Sequence, residues 1–100
     1  MTFIQIIDVT TTKIDAVHEI VDEWVAKTQG TRKAHRATLT QDRDRPNTYL
    51  QIVEFPSHEA AMSNSELPET GEFAQKLAAL CETPPTFHNL EVRQVFDLSR

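Results

Sequence analysis

The chain has 100 residues, enough for one domain with a modest core. Hydrophobic residues make up 39% and charged residues 25%, which excludes a disordered polymer. The net charge of −5 disfavours nucleic acid and anionic membrane as partners, because the only basic cluster, Arg32, Lys33, His35 and Arg36, is too small to reverse it. Cys81 is the sole cysteine, so neither an intrachain disulfide nor a multi-cysteine metal site can form. With no leader pattern and no apolar run near the ~20 residues of a membrane span, a soluble, cytoplasmic domain over 1–100 is expected.

The run Phe3 to Val9 is rich in β-branched residues and apolar on both faces. Ile4 and Ile6 point one way, Phe3, Ile7 and Val9 the other, so this strand needs cover on both sides. Thr12 and Asp15 form a candidate helix start. Ile14, Val17, Val21, Trp24 and Val25 follow at helical spacing, and Gly30 suits the left-handed turn after the helix. A second strand is predicted over Lys33 to Gln41, with Ala37 and Leu39 opposite Arg36, Thr38 and Thr40. The polar segment Asp42 to Asn47, containing Pro46, reads as a turn into a third strand, Thr48 to Phe55.

Ser57 is a candidate cap for a helix through Ala60, Ala61 and Met62. The run Ser63-Asn64-Ser65 is expected to interrupt it, and Leu67 to Gly71 to form a loop. Helix is expected again from Glu72, with Phe73, Leu77, Leu80 and Cys81 on its apolar face, ending at Pro84-Pro85. The last predicted strand is His88 to Leu98.

The resulting order, β-α-β-β-α-β, is the split βαβ pattern of an α+β, ferredoxin-like domain: a four-stranded antiparallel sheet with two helices on one face. The other face is expected to keep Phe, Ile, Val or Leu from the first, third and last strands. Sheet-to-sheet homodimerisation is the expected way to remove such a face from water.

The stretch Tyr49-Leu50-Gln51-Ile52-Val53-Glu54-Phe55-Pro56-Ser57-His58-Glu59-Ala60-Ala61 resembles the antibiotic biosynthesis monooxygenase-like group of the dimeric α/β-barrel superfamily. Asn64-Ser65 and Phe73 extend the resemblance, which spans nearly the whole chain. It implies a dimeric α/β barrel with a pocket inside each subunit, between sheet and helices. It also implies a cofactor-independent monooxygenase acting on an aromatic or polyketide-like molecule, with no metal or other cofactor. Haem degradation, another activity of the group, is disfavoured. The first strand has no Asn, Asn64 stands where those enzymes have a Trp, and Ala74 to Ala79 contains no axial His.

Carried over by position, the resemblance nominates His58 and Asn64 as catalytic, with Trp24 and Phe73 in the pocket. Each has a plainer reading. Trp24 lies on an apolar stripe and can be core. His58 can be a solvated residue in a helix's first turn; in the functional reading the helix dipole keeps it neutral, so it can act as a base on a phenol or enol. Asn64 can be a turn residue, or an amide that orients a substrate carbonyl or O₂. His35 is a second pocket candidate, with a surface or dimer-interface role as its alternative. Gln51 is polar among apolar neighbours, so if buried it needs a partner that a pocket or an interface supplies. His18 and His88 read as surface residues. A non-catalytic dimer that binds a small ligand, or serves only for interaction, is the alternative to the enzyme.

Overall fold

In the computed structural model, which describes residues 2–99, side-chain parity along two central strands organises the chain. β1 (Phe3–Thr10) and β3 (Thr48–Phe55) pair antiparallel, with β2 (Arg36–Gln41) outside β3 and β4 (Thr86–Glu91) outside β1, giving the sheet order β2-β3-β1-β4. Pairing Phe3 with Phe55, Gln5 with Val53, Ile7 with Gln51 and Val9 with Tyr49 puts these odd-numbered residues on one face. The helices α1 (Ile14–Lys27), α2 (His58–Ser65) and α3 (Pro68–Leu80) cover that face. The ferredoxin-like architecture is as expected, except that the second helical crossing is split into α2 and α3.

Two buried clusters hold this layer together. Phe3, Val53, Phe55 and Ala61 form one, beneath α2. Ile7, Val9, Val17 and Leu77 form the other, where α1 and α3 meet the sheet, with Ile14, Val21, Phe73, Leu80 and Cys81 packed around them. Cys81 is a half-buried packing residue, and burial raises its thiol pKa, which suppresses the nucleophilic thiolate.

Several boundaries differ from expectation. α1 is preceded by Lys13, and Thr12 does not cap it. The hydroxyl of fully buried Thr11 accepts from the Lys13 backbone N–H at 2.9 Å and donates to the Leu80 carbonyl at 2.6 Å, tying the start of α1 to the end of α3. Gly30 does adopt a left-handed φ of 86°, although α1 has already ended at Lys27. β2 starts at Arg36 because the preceding segment is drawn toward α2, where the Lys33 backbone N–H donates to Asn64 Oδ1 at 3.0 Å.

α2 runs straight through Ser63-Asn64-Ser65. The Asn64 side chain bonds to Lys33 and leaves the helix backbone undisturbed. Ser57 caps α2 as predicted, accepting from the Ala60 N–H at 3.1 Å. α3 begins at Pro68, not Glu72: proline at the first helical position needs no N–H partner and arrives with a helical φ. β4 lies earlier than expected and stops at Glu91, because its neighbour β1 begins at Phe3. One further bond, from the Val92 N–H to the Thr2 carbonyl, closes the pairing. Val95, Phe96 and Leu98 then lie 81%, 68% and 85% exposed, outside any strand.

The face without helices carries Ile4, Ile6, Leu50, Ile52 and Leu90, aligned by the pairs Ile6 with Ile52 and Ile4 with Leu90. Among the described residues, no helix is long and apolar enough to cross a membrane.

Leu77 is 1% exposed at the centre of the larger cluster. Leu77→Ala is expected to lower unfolding free energy by about 2–5 kcal/mol, measured by urea denaturation.

Candidate functional site

The two core clusters do not merge. Between them the sheet and helices leave a partly open cavity of about 250 Å³. Its floor includes Ile7, Gln51 and Val53, and α1 supplies Val21 and Trp24. Asn64 and Ser65 enter from the end of α2; Thr70, Phe73 and Leu77 enter from α3. The walls are mainly apolar, and none of the lining residues carries a titratable side chain.

Three polar groups stand out. Gln51 replaces a hydrophobe in the row Tyr49, Gln51, Val53, Phe55, opposite Ile7 on one side and Leu39 on the other. It is 9% exposed, yet its amide has no hydrogen-bond partner among the described residues and neither amide atom is sealed from solvent. Its polar end therefore opens into the cavity it lines. Asn64 is 5% exposed. A backbone N–H can only donate, so the bond from Lys33 identifies the accepting atom as Oδ1 and turns Nδ2 to the other side as a donor. The third group is a pair: Trp24 Nε1–H donates to Thr70 Oγ1 at 2.9 Å. The Trp24 and Phe73 rings, with centroids 6.5 Å apart and tilted by 54°, form an aromatic wall beside it.

Trp24, Gln51, Asn64 and Phe73 are thus brought together around one cavity. His58 and His35 are not. His58 is exposed at the start of α2 and packs its ring edge-on against Phe3 at 5.2 Å between centroids. His35 is exposed beside β2, with its backbone N–H bonded to the Glu54 carbonyl at 3.0 Å. Thr70 and Ser65 also line the cavity, although neither is a site residue nominated from sequence. Reading Leu67 to Gly71 as a loop hid Thr70, whereas Pro68 as a first helical residue would have placed it in the opening turn of a helix.

A ring of four charges clasps α1 to α3 beside the Trp24–Thr70 bond. Lys27 Nζ reaches Glu23 at 3.2 Å and Glu72 at 3.1 Å; Lys76 Nζ reaches Glu72 at 2.9 Å and also pairs with Glu23. The hydrogen bonds from Lys76 and Lys27 lower the Glu72 carboxyl from an ordinary 4.5 to about 2. Glu23 is lowered for the same reason, and both lysines are raised.

No protein-family model and no curated protein sequence matches the chain. Solved structures do match. A protein assigned as an antibiotic biosynthesis monooxygenase from Caulobacter crescentus superposes with a TM-score of 0.79 at 10% identity, over 93% of this chain and 91% of its own. One from Nitrosomonas europaea gives 0.74 at 15% identity, over 92% and 90%. SnoaB from Streptomyces nogalater, a cofactor-independent oxygenase, gives 0.72 at 22% identity, over 99% and 96%. The fold is that of the antibiotic biosynthesis monooxygenases. At these identities the likeness concerns architecture, and the cavity has to be argued from its own residues.

A depressed carboxyl stabilises the fold above its unfolded pKa, and that contribution is lost as pH falls through the folded value. The Glu72 contribution is therefore expected to be complete above about pH 4.5 and to disappear on acidification to about pH 2. Thermal melting across this range should show a shallower acid loss in Glu72→Gln than in the parent chain. The difference should shrink in high salt, because the clasp is solvent-exposed.

Proposed function

We propose that the protein is a cofactor-independent monooxygenase for a compact aromatic or polyketide-derived phenol, working as a homodimer joined through the helix-free sheet face. The observation that carries the enzyme reading is the partly open, mainly apolar cavity into which the amides of Gln51 and Asn64 open. Its volume is near the lower end of the ~300–1,000 Å³ usual for ligand sites, which suits a compact planar molecule. Trp24 and Phe73 offer a stacking wall, and the amides offer orientation. SnoaB, of the same fold, is a cofactor-independent oxygenase.

In such a reaction the substrate is its own reductant. Loss of a phenolic or enolic proton gives a delocalised anion, which passes one electron to O₂. The substrate radical and superoxide combine at carbon to form a hydroperoxide, and loss of water breaks the O–O bond and leaves a carbonyl. One oxygen atom ends in the product and the other in water. With no titratable side chain in the cavity wall, the proton leaves to water, and the amides hold the oxygen that has lost it.

The same lack of a base favours a second reading, a dimer that binds such a ligand without turning it over. Trp24 is the only tryptophan, so its fluorescence reports cavity occupancy directly. Under the enzyme reading, a quinol from a polyphenol panel quenches this emission and drives oxygen uptake, and Asn64→Leu lowers the uptake at least tenfold. Quenching with no uptake across the panel establishes the binding reading instead. For the assembly, light scattering is expected to give twice the monomer mass, and Ile52→Arg, on the bare face, to give the monomer.

A further inference from the structure

Exposure along its lining shows where the cavity meets solvent. Ile7, Gln51, Val53, Asn64 and Leu77 line it and are buried. Ser65 at the end of α2, Gly71 and Ala74 on α3 and Phe87 on β4 line it and are exposed, Phe87 by 48%. Phe87 pairs with Ile7 and so stands on the helix side of the sheet, and α3 is the element that leads into β4. These four residues therefore flank one gap. The remaining exposed lining residue, Ala37 on β2, is at the opposite edge of the sheet. Gly71 is the odd member of the gap. It stands in the opening turn of α3, its N–H bonded to the Leu67 carbonyl at 3.2 Å, where alanine or leucine favours helix more than glycine does. Nothing in the backbone calls for glycine there: its φ is not positive, and an added Cβ would meet no atom within 4 Å. What the missing side chain leaves is open space at the rim of the cavity.

We propose that Gly71 is a specificity-determining residue: its missing side chain keeps open the mouth of the cavity between α3 and β4, and so decides how long a ring system the site accepts. An engineered cavity of roughly 150 Å³ holds one benzene ring, so the 250 Å³ here holds about two fused rings. A third ring has to lie in the gap, over Gly71 and Ala74 and against Phe87. Charged substituents belong at this outer end, because no cation lines the cavity to offset their burial. At the inner end the Gln51 amide, 9% exposed and without a partner among the described residues, faces the ligand. Replacing the glycine would strengthen the helix and narrow the mouth, so fold and ligand pull this position in opposite directions. This inference rests on the cavity being the ligand site, as under the proposed function, but not on oxygen chemistry.

The test is isothermal titration calorimetry of the full-length protein with two probes. 2-Naphthol has two rings; anthraquinone-2-sulfonate has three, and its sulfonate has to stay in water. Gly71→Leu is expected to weaken anthraquinone-2-sulfonate by about tenfold or more, as for one ring kept from burial, and to change 2-naphthol by less than about twofold. Gly71→Ala adds a single methyl and should give a smaller loss for the longer probe. Leucine and alanine both favour helix over glycine, so neither variant should melt below the parent, and lost affinity is then not lost fold. Ala37→Leu alters the wall at the opposite edge and should cost the longer probe less than Gly71→Leu does. An affinity for the longer probe unmoved by Gly71→Leu, an equal loss for both probes, or a larger loss in Ala37→Leu overturns the proposal. So does a Gly71→Leu chain that melts below the parent, which would give the glycine a structural reason, or a parent that binds 2-naphthol and not the longer probe. Each of these leaves the cavity as the ligand site. A parent that binds neither probe overturns the proposed function as well.

Discussion

In β1 and β3, odd-numbered side chains turn toward the helices and even-numbered ones turn away, and most of the molecule depends on this alternation. A single-residue slip in register would move Phe3, Ile7, Val53 and Phe55 to the open face and dissolve both core clusters. The same alternation places Gln51 on the helix side, in the middle of an apolar row. A polar residue there is tolerable only where its amide meets space that a polar partner can occupy, and the gap between the two clusters supplies that space.

The helices set the rest of the cavity through three polar ties. Thr11 joins the start of α1 to the end of α3. Trp24 joins α1 to the first turn of α3, and the Lys–Glu ring clasps the same two helices from the solvent side. Asn64 pins the segment before β2 to the end of α2. Two of these ties also shape the cavity wall, because in each an oxygen accepts from within the protein while the donor on the same side chain stays unpaired among the described residues. Structural support and ligand recognition are thus carried by the same side chains. Substitutions at Asn64 or Trp24 therefore act on scaffold and cavity together, and a fold measurement such as circular dichroism has to accompany any binding readout.

Strand parity, the stripe on α1, the Ser57 cap and the hairpin turn at Asp42 to Asn47 were legible in the chain, because each depends on neighbours a few residues away. The bare apolar face followed from them. The course of α2 through Asn64 was not legible: local preference reads Ser-Asn-Ser as a break, and only the Lys33 N–H, 31 residues away, gives the Asn64 side chain a better partner than its own backbone. The end of β4 was likewise decided by the start of β1, and the start of β2 by the pull toward α2.

The candidate site divides along the same line. Trp24, Gln51, Asn64 and Phe73 could be nominated by residue type and position, and His58 and His35 could be nominated equally well. Sequence by itself determined the strand order, the faces and the stock of polar residues, all of which arise from period and spacing. Tertiary structure decided which of those residues share a cavity, that Thr70 is one of them, and which atoms of Asn64 and Thr70 remain free to donate. A hydrogen bond between residues 31 or 46 positions apart has no counterpart in local sequence pattern, and those two bonds are what turn an apolar gap into a site with a polarity.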